Sequence, residues 1–409
     1  MPQDSANDGL RRSLSLWQVV LYGLGVTIGA GIYVLVGLAA DKSGMHAPLA
    51  FVAAAVLLSF TAASLAELGT RMPVSASEAA YVEAGFSRKW LTLSVGLIVV
   101  GTAMISAATV SVGAAGYVAV FIQAPAPVLI TLVVMGMGLI ASLTTVQSVT
   151  LAGLMTLVEI GGLLAILTAG SLQPDALLQA LPKILPGFAM DAWTGILGAS
   201  LLAVFAFIGF EHVVNIAEEI RTPKQVLPRA IFLTLGVTTL LYAAVVFVAI
   251  AAVPPAELAL SGAPLALAYE RLTGHPLGTM SAIAVIATLN GIVVHMIMIS
   301  RVLYGLSRSG DLPVGLARLD PRTQTPLRAT LLAVGAILTL ALIFPIEQLA
   351  QFTAQGTLVI FVILNAALIQ IKRREVTPPG DIFLTPIWTP YAGLVANIFL
   401  LVTSIITRA

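Results

Sequence analysis

Two acidic side chains stand inside long apolar runs of this 409-residue chain. Glu159 lies mid-run in Leu157-Val158-Glu159-Ile160-Gly161, and Glu211 follows Phe205-Ala206-Phe207-Ile208-Gly209-Phe210. A charged group at membrane depth is costly and marks a functional site by default. Glu159 is expected to bind a proton. The competing readings are a neutral carboxyl hydrogen-bonded to neighbouring backbone and a sodium ligand. Glu211 is expected to be a proton-responsive carboxylate, and it equally suits a cap, since an acid at a helix N-terminus meets a favourable dipole. His212 and His295 read first as packing or hydrogen-bonding groups and second as a proton relay. Together with His46 and His275 they have no metal-ligand spacing. Neither a GxSxG nor an HExxH pattern occurs, so hydrolytic chemistry lacks a nucleophile with a positioned base, and enzyme activity is not expected. Zero cysteines exclude disulfides and thiolate sites.

The second kind of informative residue is glycine. One run holds Gly23, Gly25, Gly29 and Gly31, and a later one holds Gly209. Glycine weakens a helix by about 1 kcal/mol relative to alanine, so both runs permit local unwinding. Unwound backbone at membrane depth is tolerated only where it is buried or lines a cavity. Its free N–H and C=O groups suit a carboxylate and an ammonium. The competing reading is close helix packing through small residues.

The elements that carry these residues follow from composition. The chain is 58% hydrophobic and only 10% charged, with mean hydropathy +1.01. An ordinary soluble domain is about 25% charged; this one has too few charges to coat a globule. Twenty basic against nineteen acidic residues, with no basic stripe, argue against nucleic acid as a partner; the partners expected are a lipid bilayer and a small solute. Eleven apolar runs are long enough for membrane helices, near 16–39, 48–68, 91–121, 127–145, 150–170, 193–217, 230–252, 277–306, 328–344, 348–371 and 386–406. The ninth and tenth are divided only by Phe344-Pro345-Ile346-Glu347. With the N-terminus inside, sixteen of the twenty Lys and Arg fall on the cytoplasmic side; Lys42, Lys183, Arg271 and Arg408 fall outside. This bias predicts a plasma (inner) membrane protein with a cytoplasmic N-terminus and an external C-terminus. The interrupted runs are the first and sixth, each the first of a five-helix half. Paired broken helices in two inverted repeats are the strongest sequence pointer to a transporter site.

Four motifs then carry a resemblance. They are GLGVTIGAGIYVLVG (23–37), AELGTRMP (66–73), FAFIGFEHVVNIAEEIRTPKQVLPRAI (205–231) and ATLNGIVVHMIMISRVLYGLSRSGDLP (287–313). In this order they resemble the amino acid–polyamine–organocation superfamily, closest in style to its cationic amino acid transporter branch. The resemblance implies an all-α multi-pass LeuT-type fold, a 5+5 inverted repeat with discontinuous helices 1 and 6, plus an eleventh helix. The division expected is a tail at 1–14, a core at 15–371 (repeats at about 15–171 and 190–371), and a loop with peripheral helix 11 at 372–409. It also implies secondary transport of an amino acid or related amine by alternating access. Proton symport leads; exchange is the alternative, and a non-transporting receptor is the reading from another class. No cofactor is expected, the coupling ion is expected to be a proton with sodium left open, and monomer and homodimer stay equally open.

The resemblance places the substrate carboxylate at Thr27, Ile28, Gly29, Ala30 and Gly31, and the ammonium at the carbonyls of Phe205, Ala206 and Ile208. The remaining substrate-site candidates are Phe207, Gly209 and Met104. Phe205 stands where relatives carry a gating aromatic. Glu67, Glu218, Glu219 and Arg221 are expected to close an inner gate. Several proton-coupled relatives carry a lysine where this chain has Glu159, so a lysine mechanism does not transfer. No Lys or Arg reaches the expected pocket, which disfavours acidic substrates. Glu211 suits a cationic side chain, Phe205, Phe207, Phe210, Met104 and Ile105 suit a neutral one, and neutral amino acids are ranked slightly ahead. Asn290 and Gln355 are expected to tie helices together, and Ser75 with Glu78 to cap a short helix at about 74–86.

Overall fold

The computed structural model describes residues 12–74, 77–143, 149–308, 310–321, 323, 325–375 and 380–406. Among them the elements are helical, and the single β-bridge joins Leu14 to Ile220. This is what lipid demands: with no water to satisfy free backbone groups, each crossing segment must close its own hydrogen bonds. Eight helical stretches are long and apolar enough to cross a membrane, and Leu16–Thr27, Ala126–Ser142 and Leu327–Ile343 are shorter apolar helices. Every one of the eleven expected runs contains helix.

The first run is broken into α1 (Leu16–Thr27) and α2 (Ala30–Ser43). Then come α3 (Ala47–Arg71), the short α4 (Ser77–Phe86), α5 (Lys89–Val118), α6 (Ala126–Leu143) and α7 (Val149–Ser171). The short α8 (Pro174–Ala180) leads to α9 (Met190–Phe207), which stops at a second break and continues as a 3-10 helix, Phe210–Glu219. The chain proceeds through α10 (Pro223–Ala252), the short α11 (Pro255–Leu260) and α12 (Pro264–Thr273), α13 (Gly278–Arg308), α14 (Leu327–Ile343), α15 (Ile346–Arg374) and α16 (Trp388–Ile406). The narrow gap at 344–347 does separate two helices, because Pro345 lacks the N–H that would continue α14 and sits as the N-cap of α15. The expected short helix after α3 is present as α4; Ser75, its expected cap, lies outside the described residues, as do Arg11, Arg322 and Arg408.

Packing sets the site. α2 lies on α9, α1 on α10, and α5 between α13 and α15. The buried face of α3 is rich in small residues, Ala54, Ala55, Ala62, Ala63, Ser64, Ala66 and Gly69, which lets neighbouring backbones approach closely. Large apolar side chains such as Leu132, Leu139, Leu240, Leu331 and Val395 point outward, as hydrocarbon solvent requires.

α16 and the segment that leads into it are bonded to their neighbours at two levels. At the first, Asn397 Nδ2 on α16 and Asn365 Nδ2 on α15 both donate to Thr61 Oγ1 on α3, at 2.8 and 3.0 Å, and Ser64 Oγ donates to Asn365 Oδ1 at 2.7 Å. At the second, the Glu67 carboxylate is wholly buried. It accepts from Arg71 (2.7 and 3.0 Å), Lys372 Nζ (2.7 Å), and Thr385 N (2.8 Å) and Oγ1 (2.6 Å). Arg71 also pairs with Glu375. A buried carboxylate survives only with such a set of donors.

Candidate functional site

Both expected interruptions exist, and they touch. α1 ends at Thr27; Ile28 and Gly29 leave helical geometry, with ψ of 64° and −152°. α9 ends at Phe207; Ile208 is extended, and Gly209 takes φ +133°. That conformation strains any residue with a Cβ. Space forbids one as well: a Cβ on Gly209 would lie 2.6 Å from the Val26 carbonyl oxygen and 2.8 Å from Thr27 Cα. Across the other side, a Cβ on Gly31 would meet Ala206 Cα at 3.0 Å and the Phe205 ring at 3.5 Å. The two breaks are thus pressed together, backbone on backbone, with Phe205 buried over the start of α2.

Free polar backbone groups collect here. No side chain caps the N-terminus of α2, whose cap position is Gly29. Of the last carbonyls of α9, that of Phe205 accepts from Ile208 N at 3.2 Å, and the helix supplies no further turn for those after it. Thr27 is occupied within the protein: its hydroxyl donates to Gly23 O at 2.7 Å, and its carbonyl accepts from Tyr242 Oη at 2.7 Å. Two further tyrosines hold the same region, Tyr33 Oη donating to the Glu159 carbonyl and Tyr117 Oη to the Tyr33 carbonyl, both at 2.6 Å.

Glu211 is buried in the first turn of the 3-10 segment. Its Oε2 accepts the Gly209 N–H at 2.8 Å, so it caps the strained glycine. It also lines a cavity with about 50 Å³ of water-accessible space, which runs from Ile208 at the break past His212, His295 and Met298 to Glu78 on α4. α5 contributes Val99, Thr102, Ala103 and Ser106, and α15 contributes Thr353, Thr357, Ile360 and Phe361. Of the substrate-site candidates, Ile208 is in this wall, with Glu211 beside it. Thr27, Ile28, Gly29, Ala30, Gly31, Phe205 and Ala206 gather at the contact of the two breaks. Phe207 is built into an aromatic group, 6.3 Å from Phe51 and 5.5 Å from Tyr242 between ring centres. Met104 packs on the core one residue from the wall.

Glu159 is 1% exposed. Its Oε1 accepts from Asn290 Nδ2 on α13 at 3.3 Å, while Oε2 and the Asn290 Oδ1 are buried without partners. Asn290 ties helices as expected, and Gln355 does the same, Nε2 donating to Ser404 Oγ on α16 at 2.9 Å. Thr288 turns its hydroxyl onto its own helix, to Ala284 O and Val285 O.

Two of the gating candidates, Glu67 and Arg221, sit in separate bonding groups. Glu67 pairs with Arg71 and Lys372. Arg221 instead holds the N-terminal segment: its Nε donates to Ser13 O at 2.8 Å and its N–H to Leu14 O at 3.2 Å, while the Glu219 carbonyl accepts from Ser13 N and Leu14 N. Sequence reasoning missed the tyrosines, Lys372 and Thr385, and the hydroxyls of the cavity wall. The spacing of Thr102 with Ser106, and of Thr353 with Thr357, puts each pair on one helix face, and this was the available signal. Among the described residues no His, Asp, Glu cluster is arranged to hold a metal.

Comparison with known proteins meets this geometry. A family model described as amino acid permease matches residues 14–409. The branched-chain amino acid permease BcaP of Bacillus subtilis is 27% identical over 393 residues, which cover 91% of this chain and 83% of that one. An uncharacterized transporter of Mycobacterium tuberculosis is 32% identical over 376 residues, with the same two coverages. The vacuolar cationic amino acid transporter 4 of Arabidopsis thaliana is 29% identical over 409 residues, covering 91% of this chain and 66% of its own. The chain belongs to the amino acid permease family, within the amino acid–polyamine–organocation superfamily. It is a multi-pass membrane protein of amino acid transport, not an enzyme.

Proposed function

We propose that this permease is a secondary active transporter of a neutral amino acid, working by alternating access and coupled to proton symport. The carrying observation is the contact of the two helix breaks, where Gly209 meets Val26 and Gly31 meets Ala206. The proposed architecture is a LeuT-type inverted repeat, 15–171 and 190–371, with α16 outside it, in the inner membrane with the N-terminus cytoplasmic. The uncapped start of α2 takes the substrate carboxylate, and the terminal carbonyls of α9 take the ammonium; the helix dipole favours the first pairing. Phe205 covers the junction. Two of these relatives are named for branched-chain and for cationic amino acids. The lack of Lys and Arg in the cavity wall argues against an acidic substrate, and the neutral choice rests on the apolar part of that wall, Val99, Ala103, Ile208, Met298, Ile360 and Phe361. Glu159 is the proposed proton carrier. It and Asn290 present two buried acceptors with no donor between them, and a proton on the carboxyl turns one acceptor into a donor.

The test is uptake by the purified chain in proteoliposomes. Neutral amino acids are expected to accumulate under an inward proton gradient without sodium. Accumulation that follows sodium and ignores pH removes the proton reading, glutamate as the best substrate removes the electrostatic argument, and counterflow without accumulation replaces symport by exchange.

A further inference from the structure

The cavity beyond Ile208 has a wall whose hydroxyls behave unlike others in these helices. In apolar helices a Ser or Thr hydroxyl ordinarily folds back onto a carbonyl one turn earlier. Ser94, Thr109 and Ser111 on α5 do so, as does Thr353 on α15. Thr102, Ser106 and Thr357 do not. Each is nine-tenths buried or more, each lines the cavity, and none makes a hydrogen bond among the described residues. Thr102 comes from α5 and Thr357 from α15, so the hydroxyls face the space from two helices. Thr102 is also pressed against Gly356, where a Cβ would collide with its Oγ1.

His295 adds a fourth group. Its Nδ1 lies 2.7 Å from the Gly291 carbonyl, which can only accept, so Nδ1 carries the proton and a neutral ring keeps Nε2 as an acceptor. The rest of the wall joins apolar residues, among them Val99, Ala103, Met298 and Ile360, to the polar side chains of Glu78, Glu211, His212 and Thr353. The hollow has about 50 Å³ of water-accessible space, which is room for roughly three or four water-sized groups. That accommodates a short side chain, such as the two or three heavy atoms of serine or threonine. A cationic side chain is too long for it, and an acidic one would meet Glu211.

We infer that this hollow is the side-chain subsite and that Thr102, Ser106 and Thr357 select a short hydroxyl-bearing amino acid, threonine or serine. The inference rests on the proposed function, since the substrate's backbone must sit at the breaks for its side chain to reach past Ile208. The hydroxyl of such a substrate both donates and accepts, and three freely turning hydroxyls and an imidazole nitrogen answer it either way. A site built for a hydroxyl rejects the analogue that lacks one, because its own polar groups are then left unpaired.

The test uses two amino acids of one shape. Valine is threonine with a methyl in place of the hydroxyl. Initial uptake of each is measured in proteoliposomes of the full chain, wild type, Thr357→Val, and Thr102→Val with Ser106→Ala. In parallel, the melting temperature of the wild-type protein is followed against each amino acid. Expected is a wild-type preference for threonine of about tenfold or more, narrowed at least roughly threefold by either variant. The melting curves carry the preference without any variant, so a variant that fails to fold leaves the wild-type ratio to decide. Valine handled as well as threonine overturns the inference, as does a ratio untouched by both variants. In those cases transport of another amino acid leaves the wider reading standing; failure of all twenty to bind or move sinks the wider reading itself.

Discussion

Glu159 is gripped through its backbone by Tyr33 and through its side chain by Asn290, yet one carboxylate oxygen is left without a partner. In a folded interior an unpaired buried polar atom costs about 1–3 kcal/mol, so a group held this firmly around a vacant acceptor position is suited to take and release a proton. Glu159→Gln removes the titration and keeps the shape. Wild-type uptake is expected to rise as the outer solution is acidified. The variant is expected to be flat across the same pH range, while substrate still raises its melting temperature. Unchanged stimulation by acid would exclude Glu159 as the carrier. Glu211 differs, because its carboxylate already caps Gly209. The cap is one of its two expected roles, and the same side chain lines the cavity.

At the scale of elements, each break is a contact before it is a binding site. Gly209 combines φ +133° with Val26 and Thr27 backbone inside 3 Å of any Cβ. Gly209→Ala is therefore expected to cost about 2 kcal/mol or more, read as a lower unfolding temperature in detergent, and to abolish uptake. Gly236→Ala serves as the comparison, since a Cβ there meets nothing within 4 Å. The cluster joining α3 to the segment between α15 and α16 is the other rigid joint. Glu67→Ala leaves Arg71 and Lys372 facing an empty position; removing one partner of a buried pair costs about 3–5 kcal/mol. Glu67→Gln keeps part of the hydrogen bonding and is expected to lose clearly less. Equal, small losses for both would mean that the cluster is solvated rather than buried. Motifs at 66–73 located Glu67, and its partners at 372 and 385 lie some 300 residues away, where no local pattern could attach them to it.

For the molecule as a whole, orientation is the property most open to direct test. The chain has no cysteine, so a single introduced thiol reports its side without background. Lys183, between α8 and α9, and Lys224, in the first turn of α10, are both exposed and lie on opposite sides of the expected membrane. A membrane-impermeant maleimide is expected to label Lys183→Cys in intact cells and Lys224→Cys only after permeabilisation. The reverse pattern would overturn the positive-inside reading.

Composition and hydropathy determined the solvent, the helical class and the eleven runs, because a segment crossing lipid must be apolar and self-bonded over its whole length. Glycine spacing determined where the first and sixth runs break, since the loss of propensity is local. Only the tertiary structure decided what those breaks face. It pressed them onto each other, shut Phe207 into an aromatic group, turned the hydroxyls of α5 and α15 toward a common hollow, and divided the charged mouth into two clusters. Those outcomes depend on which helix faces pack together, and in a chain apolar on nearly every face the sequence carries little record of that choice.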